Sequence, residues 1–473
     1  MAQQQQTPDL ESGAGSVIPL VHPISTRDGT LGKDSKLVNA LVERSEQGLM
    51  AVKRPGMTLQ QQLSAATAQG LCEIAGSGYA ILANALRRVD GGATLAIPGA
   101  GAVTQHFTSL PNLSTGTTLL QSTDGLWQTN GSTITKVTDA DYPAATLPGI
   151  CELDGTYYVM ASSDGTIRGS AVQDPFTWDA LNFIGPGTSL GAGVAVQRHL
   201  NYIVGFYDRG VQMFYDAANP TGSPLAPADS ASWLTGCAHA QSVALVADCT
   251  LFMGKDKFLS RSIQMLNGVQ MVQVSDPYIE KILNRASLTG LRAFALRTAG
   301  HSLYILNLPA AGVTLCYDIG YQIWTVLASN EGGVQGVFAC GDSLGVGATD
   351  LLLHASNGKV FAVSEDTTTD AGTSIRVEIV TTNKNWGSNR HKFTPALYLM
   401  ADTVASTVLC SWSDNDFQTF STPRSIALSS EKKMLQRCGS TKRRAWRLVH
   451  EDATPFRAWA LEVEVQSLSL IHI

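Results

Sequence analysis

The segment "LLQSTDGLWQTNGSTITKV" (119–137) constrains the fold more than any other, because Asp-Gly and Asn-Gly pairs separate three short apolar runs. Both central residues of such a turn need positive φ, so the spacing specifies a tight antiparallel meander. The alternation returns in "LCEIAGSGYAILANALRRV" (71–89), "GTYYVMASSDGTIRGSAV" (155–172), "NYIVGFYDRGVQMFYD" (201–216), "ALVADCTLFMGKDKFLSRSI" (244–263), "HSLYILNLPAAGVTLCYDIGYQIWTV" (301–326) and "DLLLHASNGKVFAVS" (350–364). Hairpins recurring about every 40–50 residues predict a β-propeller, since one four-stranded blade cannot bury both faces alone. A β-sandwich also spaces its turns closely and is the alternative. In "YDIGYQIWTV" (317–326), Tyr317 and Trp324 should supply area packed against the next blade, while Asp318 and Gly320 make the reversal.

The expected class is all-β. A propeller over residues 60–370 has room for six or seven blades at roughly 45 residues each. Six is preferred, because "AANPTGSPLAPADSASW" (217–233) reads as a loop too long for a blade turn. A Thr-rich linker near 371 introduces a C-terminal β-sandwich over 371–473, beginning with Ile375, Val377 and Ile379 on one face and Arg376, Glu378 and Val380 on the other. Residues 1–59 read as an extended N-terminal arm followed by first strands.

Charged residues make up 15% of the chain and the net charge is -6, which disfavours a protein that holds nucleic acid by neutralising phosphates. No run approaches the roughly 20 apolar residues of a membrane-spanning helix. The start, "MAQQQQTPDLESGAGS", lacks the basic and apolar regions of a secretory leader. The eight cysteines are scattered without C-x-x-C pairs, as expected of buried thiols made in a reducing cytoplasm. The nine histidines fall in no metal-binding spacing, and no nucleophile elbow or P-loop occurs. Asp154, Asp164 and Asp174 sit at Asp-Gly or Asp-Pro turns, where capping of the local backbone is the plainer role than a glycosidase pair or calcium site. The expectation is no catalytic site, no metal and no cofactor.

One charge cluster stands out. "EKKMLQRCGSTKRRAWR" (431–447) gathers Lys432, Lys433, Arg437, Lys442, Arg443, Arg444 and Arg447. It reads as a dock for acidic side chains on a partner or neighbouring subunit, as a phosphate contact, or as a solvated hairpin loop.

With these segments located, the chain resembles the packaged-DNA stabilisation proteins of short-tailed (podovirus) phages, which form the tail nozzle. "LVNALVERSEQGLMAVKRPGMTL" is similar to the family's opening, an Asn-containing strand, a loop, and a strand ending at Arg54-Pro55-Gly56. "IVGFYDRGVQMFYDAANP" looks like its central strand pair, and "SDPYIEKILNR" like the helix after the next blade. "SWSDNDFQTFSTPRSIAL" with "RRAWRLVHEDATPFRAWALEVEV" looks like the closing sandwich. The Gln-rich residues 1–16 depart from the pattern. The resemblance implies a structural virion protein assembled in the host cytoplasm: a ring, typically hexameric, closing the tail below the portal and its adaptor and contacting tail spike, fibre or needle proteins. Packaged DNA would pass through such a channel without tight binding. From another class, the alternative is a propeller that binds or degrades surface glycans.

Overall fold

In a computed structural model of the chain, the described residues are 15–112, 115–331 and 334–467; the expectation for the N-terminal tail falls mostly outside them. Their pairings group into short antiparallel sheets. Residues 68–96, 108–136, 151–184 and 193–233 each form one four-stranded meander, and residues 236–273 form a fifth sheet of five strands. A sixth begins as the meander Arg292–Thr298, His301–Leu308, Val313–Asp318 and Ile323–Glu331. The seventh takes Cys340–Val346, Thr349–His354 and Lys359–Ser364 from late in the chain, and Gly56–Gln62 from near its beginning as the next strand. The first strand of the seventh sheet packs against that of the sixth and against Ala68–Ile74 of the first. The sheets therefore close into a ring around one axis, as a β-propeller does.

The sequence allows six or seven such units and favours six; among the described residues the strands group into seven such sheets. The difference lies partly in 217–233, which is not a long loop. Leu225–Trp233 is a strand paired with Val211–Asp216, with a register shift between Gln212 and Phe214. Pro227 and Asp229 hid it, since neither favours a regular strand.

The hairpin at 317–326 shows why the local reading works. Tyr317 and Trp324 are cross-strand partners with ring centroids 4.9 Å apart, both buried. Each such side chain contributes about 1.5–3 kcal/mol on burial. Asp318 Oδ1 accepts the Gly320 N–H at 2.9 Å, fixing the reversal, and Oδ2 meets His301 Nδ1 at 2.6 Å. Trp324 Nε1 donates to the Val274 carbonyl at 2.9 Å, tying the sixth sheet to the fifth. The following helix α1 (Pro277–Arg285) starts where Asp276 caps it, its Oδ1 accepting the N–H groups of Tyr278 and Ile279 at 2.9 Å each.

The remaining strands come from both ends of the chain. Gly15–Pro19, Ala40–Ser45 and Gly48–Lys53 share a sheet with Ala396–Ala401 and Arg457–Glu464. Lys36–Val38 sits between Ile323–Glu331 and Val377–Val380, so the sixth sheet runs on into strands of the 377–450 region. The apolar interior between these two sheets contains Leu37, Val42, Ile379, Val408, Trp446 and Leu461, all buried. The alternation along 375–380 holds, Val377 and Ile379 facing this interior, but the opposite face is covered too: Glu378 is as buried as its neighbours.

Candidate functional site

Two places gather charged side chains, the ring axis and the 431–447 segment. Around the axis the first strands of the sheets line a cavity of about 510 Å³. Arg198 Nη1 reaches the Glu152 carboxylate there at 2.9 Å. Asp342 accepts the Leu71 N–H at 2.8 Å and the Ser343 N–H at 2.9 Å. Its burial pushes the carboxyl up to about 6, although Arg292 and these two donors act the other way.

The basic cluster is divided by the fold. Arg444 is buried: Nε and Nη2 donate to the two Asp414 carboxylate oxygens at 2.7 and 2.8 Å, and Nη1 to the Cys438 carbonyl at 2.6 Å. Its guanidinium lies 5.0 Å from the ring of Trp412 and 5.1 Å from that of Trp446. Lys433 is also buried and donates to Thr403 Oγ1 at 3.0 Å. Arg447 Nε donates to Glu378 Oε1 at 3.1 Å. Three of the seven residues are thus spent within the chain, and reversing Arg444 would strike the fold before any partner. Lys432, Arg437, Lys442 and Arg443 are exposed. Only Arg443 among these four has a carboxylate within ion-pair range among the described residues, Asp416 at 3.7 Å.

Sequence reasoning missed the buried ionic groups that join the two ends of the chain. Arg54 donates to Asp370 through Nη1 at 3.0 Å and Nη2 at 2.6 Å, and through Nε to Asn39 Oδ1 at 3.0 Å. Asn39 has φ 54, a conformation its residue type tolerates, and Nδ2 donates to the Arg376 carbonyl at 2.9 Å. Beside them Gly56 is required by close approach, since a Cβ there would lie 2.3 Å from the Thr369 carbonyl oxygen. Glu378 is faced by Lys36 at 3.2 Å, Arg447 at 3.1 Å and Arg376 at 3.5 Å. Burial alone would raise its carboxyl, but these cations bring it below the usual range. Asp416 binds Arg27, from the loop before Lys36–Val38, and that bond holds its carboxyl down to about 2. The Arg-Pro-Gly and Asn signals were visible in the sequence; the Asp370 carboxylate and the Arg376 carbonyl they meet lie more than 300 residues away.

Asp164 and Asp174 do cap their turns, accepting the N–H groups of Thr166 and Phe176 at 2.9 Å. All eight cysteines are free, and seven are buried. Among the described residues no group of three His, Cys, Asp or Glu side chains is arranged to hold a metal ion, and no helix is long and apolar enough to cross a membrane.

Comparison with known proteins agrees with this architecture. No curated protein matches the chain. Among solved structures it is similar to the extracellular domain of the putative hybrid two component system BT3049 from B. thetaiotaomicron, at 8% identity and TM-score 0.46 over 90% of this chain and 61% of that one. It is also similar to BamB from Moraxella catarrhalis, at 9% identity and TM-score 0.38 over 73% and 97%, and to the computationally designed Ika8 protein, at 12% and 0.40 over 65% and 99%. At these values the likenesses carry no functional argument. A family model described as Bacteriophage P22 Gp10, beta-propeller, matches residues 33–347, from the loop before Lys36–Val38 to the first strand of the seventh sheet and well over half of the chain. The chain therefore belongs to the phage packaged-DNA stabilisation family represented by that β-propeller protein.

Proposed function

We propose that this protein is a subunit of the nozzle, or hub ring, of a short phage tail. The ring closes the channel below the portal and its adaptor, retains packaged DNA, and becomes the conduit through which DNA leaves. The observation that carries this reading is the family match across the sheets of the ring. In this reading the conduit forms between copies, six of them, and one physical argument supports it. A net charge of -6 lets phosphate backbone slide past without being held. The protein acts without catalysis or cofactor, meets the adaptor and the spike, fibre or needle proteins, and is assembled in the host cytoplasm, where buried free thiols persist.

For domains we propose, in place of divisions at 59 and 370, a propeller made of 56–62 with 68–364 and a sandwich made of 15–53 with 373–467; the strand pairings between the chain's two ends support this. The functional test is direct. Particles assembled without this chain should fill with DNA and then lose it, becoming sensitive to nuclease, and added protein should restore retention. Particles that keep their DNA and infect normally without the chain would overturn the reading.

A further inference from the structure

Most of the exposed large apolar side chains lie between residues 172 and 278, in the third to fifth sheets and α1. Several crowd one end of those sheets. The turn at Asp154-Gly155 lies against Val172, since a Cβ on Gly155 would be 3.2 Å from the valine Cγ1. Arg198, next to the turn at Leu200-Asn201, bonds Glu152 of the neighbouring sheet, and His199 Nε2 meets the Gly268 carbonyl at 2.9 Å, beside Val269. Val172, Leu200, Tyr215 and Val269 are all exposed there. Between them runs a groove of about 730 Å³ walled by Tyr202 and Tyr215 and carrying Asp154, Asp216 and Asp229. None of these three carboxylates has an ion-pair partner among the described residues.

An apolar margin around unpaired carboxylates, on a surface otherwise poor in charge, is a docking surface. Its complement is on the same chain. Lys432, Arg437 and Lys442 project from the sandwich without a carboxylate partner among the described residues, and the sandwich is continuous with the sixth sheet, three sheets round the ring from the third. Two different patches of opposite charge, placed on well-separated parts of one molecule, are what a head-to-tail contact needs, because such an interface does not pair a surface with itself.

We infer that the groove of Asp154, Asp216 and Asp229 receives the exposed basic segment 432–442 of a second copy of this chain. The inference deepens the ring reading above and rests on it. Shape and apolar area at the rim would seat the contact, and the charges would set its register and suppress wrong partners.

The test uses the full chain in three variants: the acidic side reversed (Asp154→Lys with Asp229→Lys), the basic side reversed (Lys432→Glu, Arg437→Glu, Lys442→Glu), and both together. Assembly is followed by sedimentation over rising concentration and by incorporation into particles, with the denaturation midpoint as a check on folding. Each one-sided reversal should weaken self-association by about 100-fold or more, and the combined variant should restore it, because the charges again oppose one another. If the acidic pair disturbs folding, Asp229→Lys alone serves, at an exposed position with no ion pair among the described residues. Should the wild type assemble and a folded one-sided variant assemble equally well, the dock is wrong and the ring reading stands. Loss in both one-sided variants without restoration would also overturn it, since the patches would then meet different partners. A wild type that stays monomeric in solution and on particles overturns the dock and the ring together.

Discussion

The first five sheets and the last two are built by different means. Sheets one to five take every strand from one continuous segment, and apolar clusters such as Leu119, Trp178 and Val159, or Phe206, Val211 and Phe252, hold neighbours together. The sixth and seventh recruit strands from both ends of the chain, and there buried ion pairs are added to the apolar contacts: Arg54 with Asp370, and Glu378 with three cations. Local meanders need only turn chemistry and apolar area. Strands brought together from opposite chain ends have no turn to fix their register, and buried charges with one satisfactory partner supply that choice.

Breaking the ionic junction should therefore cost most. Arg54→Ala leaves Asp370 without its bidentate partner and should remove about 3–5 kcal/mol of stability. Hydrogen exchange should locate the loss in the seventh sheet and the sandwich, with the second to fourth sheets keeping their protection. Uniform loss of protection would erase the distinction drawn here. Arg444→Ala should cost about 2–5 kcal/mol by a different route, since Asp414 is exposed and can be solvated: it removes a buried side chain packed against Trp412 and Trp446 and leaves the Cys438 carbonyl without that donor.

Acid should next separate two places within the second region, the strands joining the chain's ends and the ring axis. His450, buried in the sandwich, has its pKa lowered to about 4, chiefly by burial and then by Lys53. Its unfolded value is ~6.5, so the stability it contributes is present above that pH and is lost as pH falls toward 4. Asp342 at the ring axis runs the other way: raised to about 6 by burial, it favours the folded state below ~3.9 and loses that contribution as pH rises through 6. Each shift is worth about 3 kcal/mol at most. Denaturant titrations from pH 4 to 8 should show His450→Gln flattening the acid limb and Asp342→Asn reducing the decline toward neutral pH. An unchanged profile in Asp342→Asn would mean that its charge is already compensated.

How much of this was written in the sequence follows from the same contrast. The hairpins were legible because Asp-Gly, Asn-Gly and Asp318-x-Gly320 determine their turns within a few residues. The fold class follows from them; the family resemblance rests instead on the order of segments such as "LVNALVERSEQGLMAVKRPGMTL" and "SDPYIEKILNR". The pairing of Gly56–Gln62 with Lys359–Ser364 was not legible, since nothing local marks a strand's distant partner. Within the basic cluster, periodicity carried a usable signal that charge counting hid. Arg444 lies two residues before Trp446, at the start of Ala445–His450, and Trp446 opposes Trp412 across the pair, which is the pattern of a cation packed against two rings rather than of a solvated loop. Glu378 was hidden similarly, because alternation assigns a face and says nothing of three cations arriving from elsewhere.

The smallest expected effect lies one residue from one of the largest. Arg443 is about half exposed and stands 3.7 Å from Asp416, a carboxylate already engaged by Arg27 and by Asn383 Nδ2 at 3.1 Å. Removing it leaves Asp416 with both of those partners. No buried charge is stranded, and Arg443→Ala should change stability by no more than about 1 kcal/mol, as exposed ion pairs do. High salt should shrink even that difference, since exposed charges are screened over ~8–10 Å. A loss above about 2 kcal/mol would show that Arg443 joins the Arg27–Asp416 link in holding the chain's beginning to the sandwich. A near-zero value beside the large loss in Arg444→Ala would confirm that burial, not charge density, divides this segment between fold and surface.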